Sequence, residues 1–236
     1  MISEVEAIVL SRIPYSESSY ILNLYTKEQG RLAVFLRNGG KRPTAKTALL
    51  HPLALVHVQL SGTGQMPRVK NYEVSFPLND LPFNPIKSSL AMFMAEMLSH
   101  VLKEKCGDEA LFNFLTTNIC ILDTSVSNLS NYHLYFLLHL TRFLGFMPNV
   151  DGVGEYVDLQ EGVLAIQPPF HSCYTDKNVT ELWKKILLND YQEVSSIPLS
   201  RDMRRETLEN IVKYYQIQVQ DIQTLKSLAV LQQLFD

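Results

Sequence analysis

Five basic side chains fall between Gly30 and Ala48 with no acid among them: Arg31, Arg37, Lys41, Arg42 and Lys46. Guanidinium and ammonium groups so placed can neutralise successive phosphates of a polyanion, and Gly39 and Gly40 let the backbone approach closely. Tyr25 and Phe35 lie nearby and offer ring faces on which bases stack. The competing reading is a solvated basic loop with both rings in the core. A second basic group, Arg201, Arg204 and Arg205, shares roughly one side of a helix start. It suits an acidic peptide held by charge-assisted hydrogen bonds. Its alternative is pairing within the chain to Asp202, Glu206 and Glu209.

Catalytic chemistry has no comparable signal. The chain holds no Gly-x-Gly-x-x-Gly, no phosphate-binding P-loop and no His-Glu-x-x-His. His133 and His139 are six residues apart, on different faces of one helix rather than at a ligand spacing of four. Cys106, Cys120 and Cys173 are odd in number and far apart, so they make neither a disulfide framework nor a four-thiolate zinc site. They predict a reducing, cytoplasmic setting, and no motif in the chain calls for a cofactor or gives positive evidence of catalysis.

The chain has 236 residues, 46% hydrophobic and 19% charged, which is ordinary for a folded protein. Its net charge of -3 excludes a uniformly basic coat, but the charge is uneven. Residues 1–80 carry nine Lys and Arg against six Asp and Glu, a net of +3, which leaves -6 for the remainder. The first residues include Glu4 and Glu6 where a secretory signal needs base. The longest apolar stretch, 132–147, is broken by His133, His139 and Arg142 and reads as a buried helix rather than a membrane span.

The elements that must position the basic groups follow two grammars. Residues 1–80 read as strands: 7–10, 20–26, 32–36, 56–60 and 68–76, with Gln29-Gly30 as a tight turn of a hairpin. No helical pattern comes before residue 85. Five strands of this size predict an OB-type barrel. Pro77, Pro82 and Pro85 mark the boundary. Helical spacing then covers 86–105, 108–122, 131–144, 179–188, 201–215 and 225–235, around an irregular insert at 149–177. The predicted class is a multidomain α+β chain, with a five-stranded OB-type barrel (1–80) followed by an all-helical domain (81–236).

The first half contains, in order, Glu6-Ala-Ile-Val-Leu, Tyr15-Ser-Glu-Ser-Ser, Leu24-Tyr-Thr-Lys-Glu-Gln-Gly-Arg-Leu, Gly40-Lys-Arg-Pro and Leu50-His-Pro-Leu-Ala-Leu-Val. The second contains Leu144-Gly-Phe-Met-Pro, Ser200-Arg-Asp-Met-Arg-Arg and Leu225-Lys-Ser-Leu-Ala-Val-Leu. Together these segments resemble the RecO family of bacterial recombination mediators, and the similarity spans nearly the whole chain.

The resemblance implies DNA repair and recombination without catalysis. A member would bind single- and double-stranded DNA and anneal complementary strands. It would contact the C-terminal tail of single-stranded-DNA-binding protein, and with RecR help load RecA onto coated strands in a bacterial, nucleoid-associated setting. The DNA surface would use Arg31, Arg37, Lys41, Arg42, Lys46 and Tyr25, and the acidic tail Arg201, Arg204 and Arg205. Tyr15 and Glu17 also match a family motif, but Ser-Glu-Ser before a strand reads as a turn, so both are assigned structural roles. Many relatives bind zinc through two Cys-x-x-Cys pairs after the Leu-Gly-x-x-Pro segment. Here only His171 and Cys173 remain as potential ligands, so zinc is not carried over. An adaptor that uses the barrel as a peptide platform, without touching DNA, is the alternative.

Overall fold

The computed structural model describes residues 2–38, 44–62, 66–126, 128–219, 222 and 225–235. They form two compact units, Met1–Thr124 and Ser125–Asp236.

Five strands close the barrel of the first unit: β1 (Ile2–Ser16), β2 (Ser19–Thr26), β3 (Gly30–Arg37), β4 (Leu55–Ser61) and β5 (Arg68–Phe76). Their order around the barrel is β1-β2-β3-β5-β4, and β1 pairs with both β2 and β4 to complete the ring. This is the OB fold the sequence predicts. Alternation fills the interior with Val5, Ala7, Val9, Leu22, Leu24, Val34, Leu36, Val56, Val58 and Leu60. The β2–β3 hairpin turns at Gly30, whose φ of 64° suits a residue without a Cβ.

The strand pattern holds a helix that periodicity does not reveal. α1 (Ala45–Ala48) is one turn long, too short to show a 3.6-residue repeat. Thr44 and Thr47 close a capping box at its start.

Beyond the barrel come α2 (Pro85–Val101) and α3 (Glu109–Thr124), and α2 packs on β1. Asn84 caps α2 by accepting from the Ile86 and Lys87 amides, with Pro85 in the first turn. The proline-rich connection is fastened rather than loose. The buried Asp123 carboxylate accepts the backbone N–H groups of Asn79 at 3.1 Å, Asp80 at 2.9 Å and Leu81 at 2.7 Å. Lys87 Nζ donates to the Asp123 carbonyl at 2.6 Å and pairs with Asp80 at 2.7 Å. The change of element type falls at the prolines, whereas packing groups α2 and α3 with the barrel in one unit.

The second unit is built on α4 (Tyr132–Phe143), preceded by a single 3₁₀ turn, Leu129–Asn131. Around α4 pack α5 (Lys177–Leu188), the short α6 (Tyr191–Ser195) and α7 (Arg201–Gln218), and α8 (Lys226–Phe235) ends the described chain. Trp183, Tyr214 and Tyr215 are almost fully buried, and the Tyr215 hydroxyl donates to the Leu137 carbonyl at 2.7 Å. The insert is less irregular than its sequence suggests. It contains a two-stranded antiparallel sheet of β6 (Tyr156–Asp158) and β7 (Val163–Ala165), three residues each and too short for alternation to show.

Candidate nucleic-acid interface

Alternation along β3 points Val34 and Leu36 into the barrel and leaves Arg31, Ala33, Phe35 and Arg37 on its outer face. The two ends of that face have different surroundings.

At the first end the outer face is covered by the helices of the same unit. Arg31 Nη1 donates to the carbonyls of Ser99 at 3.0 Å and Leu102 at 3.4 Å, at the C-terminal end of α2 where helix carbonyls gather partial negative charge. Its backbone N–H donates to Glu104 at 2.9 Å. Tyr25, 3% exposed, stacks on Phe112 of α3 with ring centroids 6.4 Å apart. Burial, reinforced by Asp108, pushes its phenol up to about 12. The sequence expectation is corrected for Tyr25, which has no free face for a base, while Arg31, half-buried, commits Nη1 to protein carbonyls. The turn between them is clamped as well. A Cβ on Gly30 would stand 2.5 Å from the Cys106 and Glu104 carbonyl oxygens, and one on Gly107 would stand 2.1 Å from that of Lys27.

At the other end β3 opens onto a cleft of about 480 Å³. Ser16 and Ser19 line it from the β1–β2 turn, Phe35 and Arg37 from β3, and Ser61 and Arg68 from the two sides of the β4–β5 connection. OB barrels take oligonucleotides on this face, between these two loops. Arg37 and Arg68 are exposed, and neither pairs with a carboxylate among the described residues. Parallel pairing of Phe35 with Arg68, and the Phe35 N–H bond of 2.9 Å to Pro67, bring the start of β5 beside β3. The serine turn is closed by a 2.5 Å contact between the Ser16 and Ser19 hydroxyls, as Ser-Glu-Ser predicts.

Tyr15 stands at an irregularity of β1. The β1–β2 register runs Pro14 opposite Tyr20, then Ser16 opposite Ser19, leaving Tyr15 as an extra residue in a bulge. The bulge turns the ring outward, 67% exposed, edge-on to Phe35 with centroids 5.7 Å apart.

Among the remaining expected residues, Lys46 is exposed on α1, 2.8 Å from the Asn71 Oδ1 and 4.7 Å above the Tyr72 ring. Lys41 and Arg42 lie outside the described residues. Sequence reasoning missed Arg68, which follows from the OB strand order because β5 then begins beside the end of β3. It also missed Arg12, whose guanidinium donates to the Thr47 carbonyl and lies 5.2 Å from the Tyr20 ring centroid.

In the second unit Arg201, Arg204 and Arg205 line one hollow with His133, Leu208 and Leu231. Its volume is about 20 Å³, room for little more than a water molecule. Arg204 donates to the Leu199 carbonyl at 3.1 Å, and Arg205 pairs with Glu209 at 3.0 Å. The three arginines share this hollow, and both Arg204 and Arg205 already hold partners within the chain. His133 is held well below its ordinary value, at about 3, by burial first and then by Arg204, so it is neutral at pH 7.

The insert does not fit a structural zinc ion. Among the described residues no three His, Cys, Asp or Glu side chains are grouped to hold a metal. His171 accepts the Cys173 N–H at Nδ1 (3.2 Å), so in the neutral ring Nε2 carries the proton and donates to Asp158 at 3.1 Å. Both nitrogens are committed, and four ligands are needed. Backbone bonds from Leu159 to Cys173 (2.9 Å) and Thr175 to Val157 (3.0 Å) tie the segment together. No helix among the described residues is long and apolar enough to cross a membrane.

Barrel topology and helical second unit define an OB-barrel protein with an appended helical unit. Residues 1–77 match the family model for Recombination protein O N terminal, and residues 82–229 that for Recombination protein O C terminal. The chain is 32% identical to the DNA repair protein RecO of Azobacteroides pseudotrichonymphae and 31% identical to that of Bacteroides fragilis, with all of each chain covered. It is 29% identical to that of Flavobacterium psychrophilum over 98% of both chains. The chain belongs to the RecO family of DNA repair proteins.

Proposed function

We propose that the protein is a non-enzymatic mediator of DNA repair and homologous recombination, whose barrel cleft receives DNA. The observation that carries this reading is the convergence of Arg37 and Arg68, from different strands, on the cleft between the two loops of an OB barrel. Arginines in this arrangement contact phosphates, so binding is independent of sequence and weakens with salt. Lys46, exposed on α1, adds a further positive charge on the barrel. Neutralising two strands at once lowers their mutual repulsion, which is what annealing requires.

Arg201, Arg204 and Arg205 would receive the acidic C-terminal tail of single-stranded-DNA-binding protein. The small hollow, whose Leu208 and Leu231 are buried, means that the tail would lie across the arginine head groups rather than enter a pocket. With RecR the protein would help load RecA onto coated strands in the bacterial nucleoid. An adaptor role draws support from an apolar groove in the first unit, lined by Leu49, Leu55, Phe76 and the 81%-exposed Phe83.

Strand annealing of complementary oligonucleotides, at low and high salt with added chelator, tests the proposal. Annealing that falls with salt and resists the chelator is expected. No annealing and no DNA binding at low salt would leave the adaptor.

A further inference from the structure

We infer that Tyr15 is a base-stacking platform that makes the barrel cleft prefer single-stranded to duplex DNA. The inference rests on the cleft being the DNA surface and adds which form of DNA it selects. Three features point to it.

First, β1 spends an extra residue to place this ring. Strand alternation would carry the chain smoothly from Pro14 to Ser16 opposite β2, whereas the bulge re-aims the intervening side chain. Second, the ring is 67% exposed, which costs hydrophobic burial that an interior position would have gained. Phe35 supports it edge-on at 5.7 Å, fixing its orientation while leaving most of its surface open. Third, Phe35 also lines the cleft that holds Arg37 and Arg68, so the platform stands beside two phosphate-binding groups.

Ring beside guanidinium is the arrangement that grips a single strand, with a base on the aromatic face and backbone phosphates on the cations. A duplex offers no such base face, because its bases are stacked on one another and expose only their edges. The cleft, about 480 Å³, is large enough for one nucleotide beside the ring. Arg37 and Arg68 would serve both forms of DNA, and Tyr15 only the single strand.

The test uses the full chain and three labelled probes of equal length: an oligothymidylate, an abasic strand and a duplex. Tyr15→Ala should weaken oligothymidylate binding about tenfold, the range of one lost base stack, and erase the preference over the abasic strand. Duplex binding should stay within about twofold of wild type, because phosphate contacts are untouched. Tyr15→Trp should retain the single-strand preference. Its indole emission should be quenched by oligothymidylate, read against a native chain whose single tryptophan, Trp183, is buried. Unchanged oligothymidylate affinity in Tyr15→Ala, or equal loss on strand and duplex, would overturn the inference. If Arg37→Glu with Arg68→Glu leaves all three probes bound as in wild type, the cleft is not the DNA surface, and both this inference and the reading beneath it fall.

Discussion

Arg31 and Arg37 share the outer face of β3, yet they do different work: Arg31 grips the carbonyl end of α2, and Arg37 lines the open cleft. The helices that follow the barrel cover one end of the outer face of β3 and leave the other. The basic run is therefore divided between a structural clamp and a candidate ligand surface.

Removing the clamp should cost stability and not DNA affinity. Arg31→Met loses charge-assisted bonds to two carbonyls and should destabilise the protein by about 1–3 kcal/mol. Tyr25→Ala removes a buried aromatic ring and should cost about 3 kcal/mol or more. Urea denaturation measures both losses. DNA titration of the folded fraction should match wild type.

Asp123 sets an acid limit on the first unit. Burial alone would raise its carboxyl. The backbone donors at Leu81, Asn79 and Asp80, with the Lys87 ammonium, outweigh that and hold it below the usual carboxylate range. A depressed carboxyl contributes stability above its unfolded value, near 3.8, that is lost as pH falls through its folded value. Asp123→Asn should destabilise the protein at pH 7 by about 1–3 kcal/mol. That gap should narrow below about pH 4, which denaturation at stepped pH checks.

His133 has the opposite charge type and the same direction with pH. Its folded value, near 3, lies below its ordinary 6.5, so the unfolded chain binds the proton first. Stability is complete above about pH 6.5 and declines as pH falls towards 3. Replacing His133 by the non-ionising Gln should flatten that part of the stability profile, whatever its effect at neutral pH.

The arginine hollow predicts an ordered series. Arg201→Ala should weaken a labelled acidic tail peptide more than Arg204→Ala or Arg205→Ala, since Arg204 already donates to Asn131 and the Leu199 carbonyl and Arg205 already pairs with Glu209. Losses of about 1–3 kcal/mol are expected for a desolvated charge contact. Peptide anisotropy measures the series, and an unchanged affinity in the triple alanine variant would exclude the cluster.

The strands from 20 onward and the long helices were legible because alternation and helical spacing over seven or more residues are strong signals. The Gly30 turn was legible too, since only a tight hairpin joins β2 to β3 there. Three features of the site were not. Tyr25 and Arg31 lie on the exposed side of their strands by period, and only the docking of α2 and α3 buries them. Tyr15 escapes alternation because one unpaired residue shifts the phase of β1. Arg68 sits 31 positions after Arg37, and strand order, not sequence distance, makes them neighbours. The helix α1 and the strands β6 and β7 are simply shorter than the periods that would announce them.

The most direct test of the cleft as the DNA surface is the salt dependence of DNA binding by an Arg37→Glu, Arg68→Glu variant. Two lost phosphate contacts should weaken binding to every DNA sequence and lower the slope of log affinity against log salt by about 2. An affinity and slope equal to those of wild type would place DNA elsewhere on the protein.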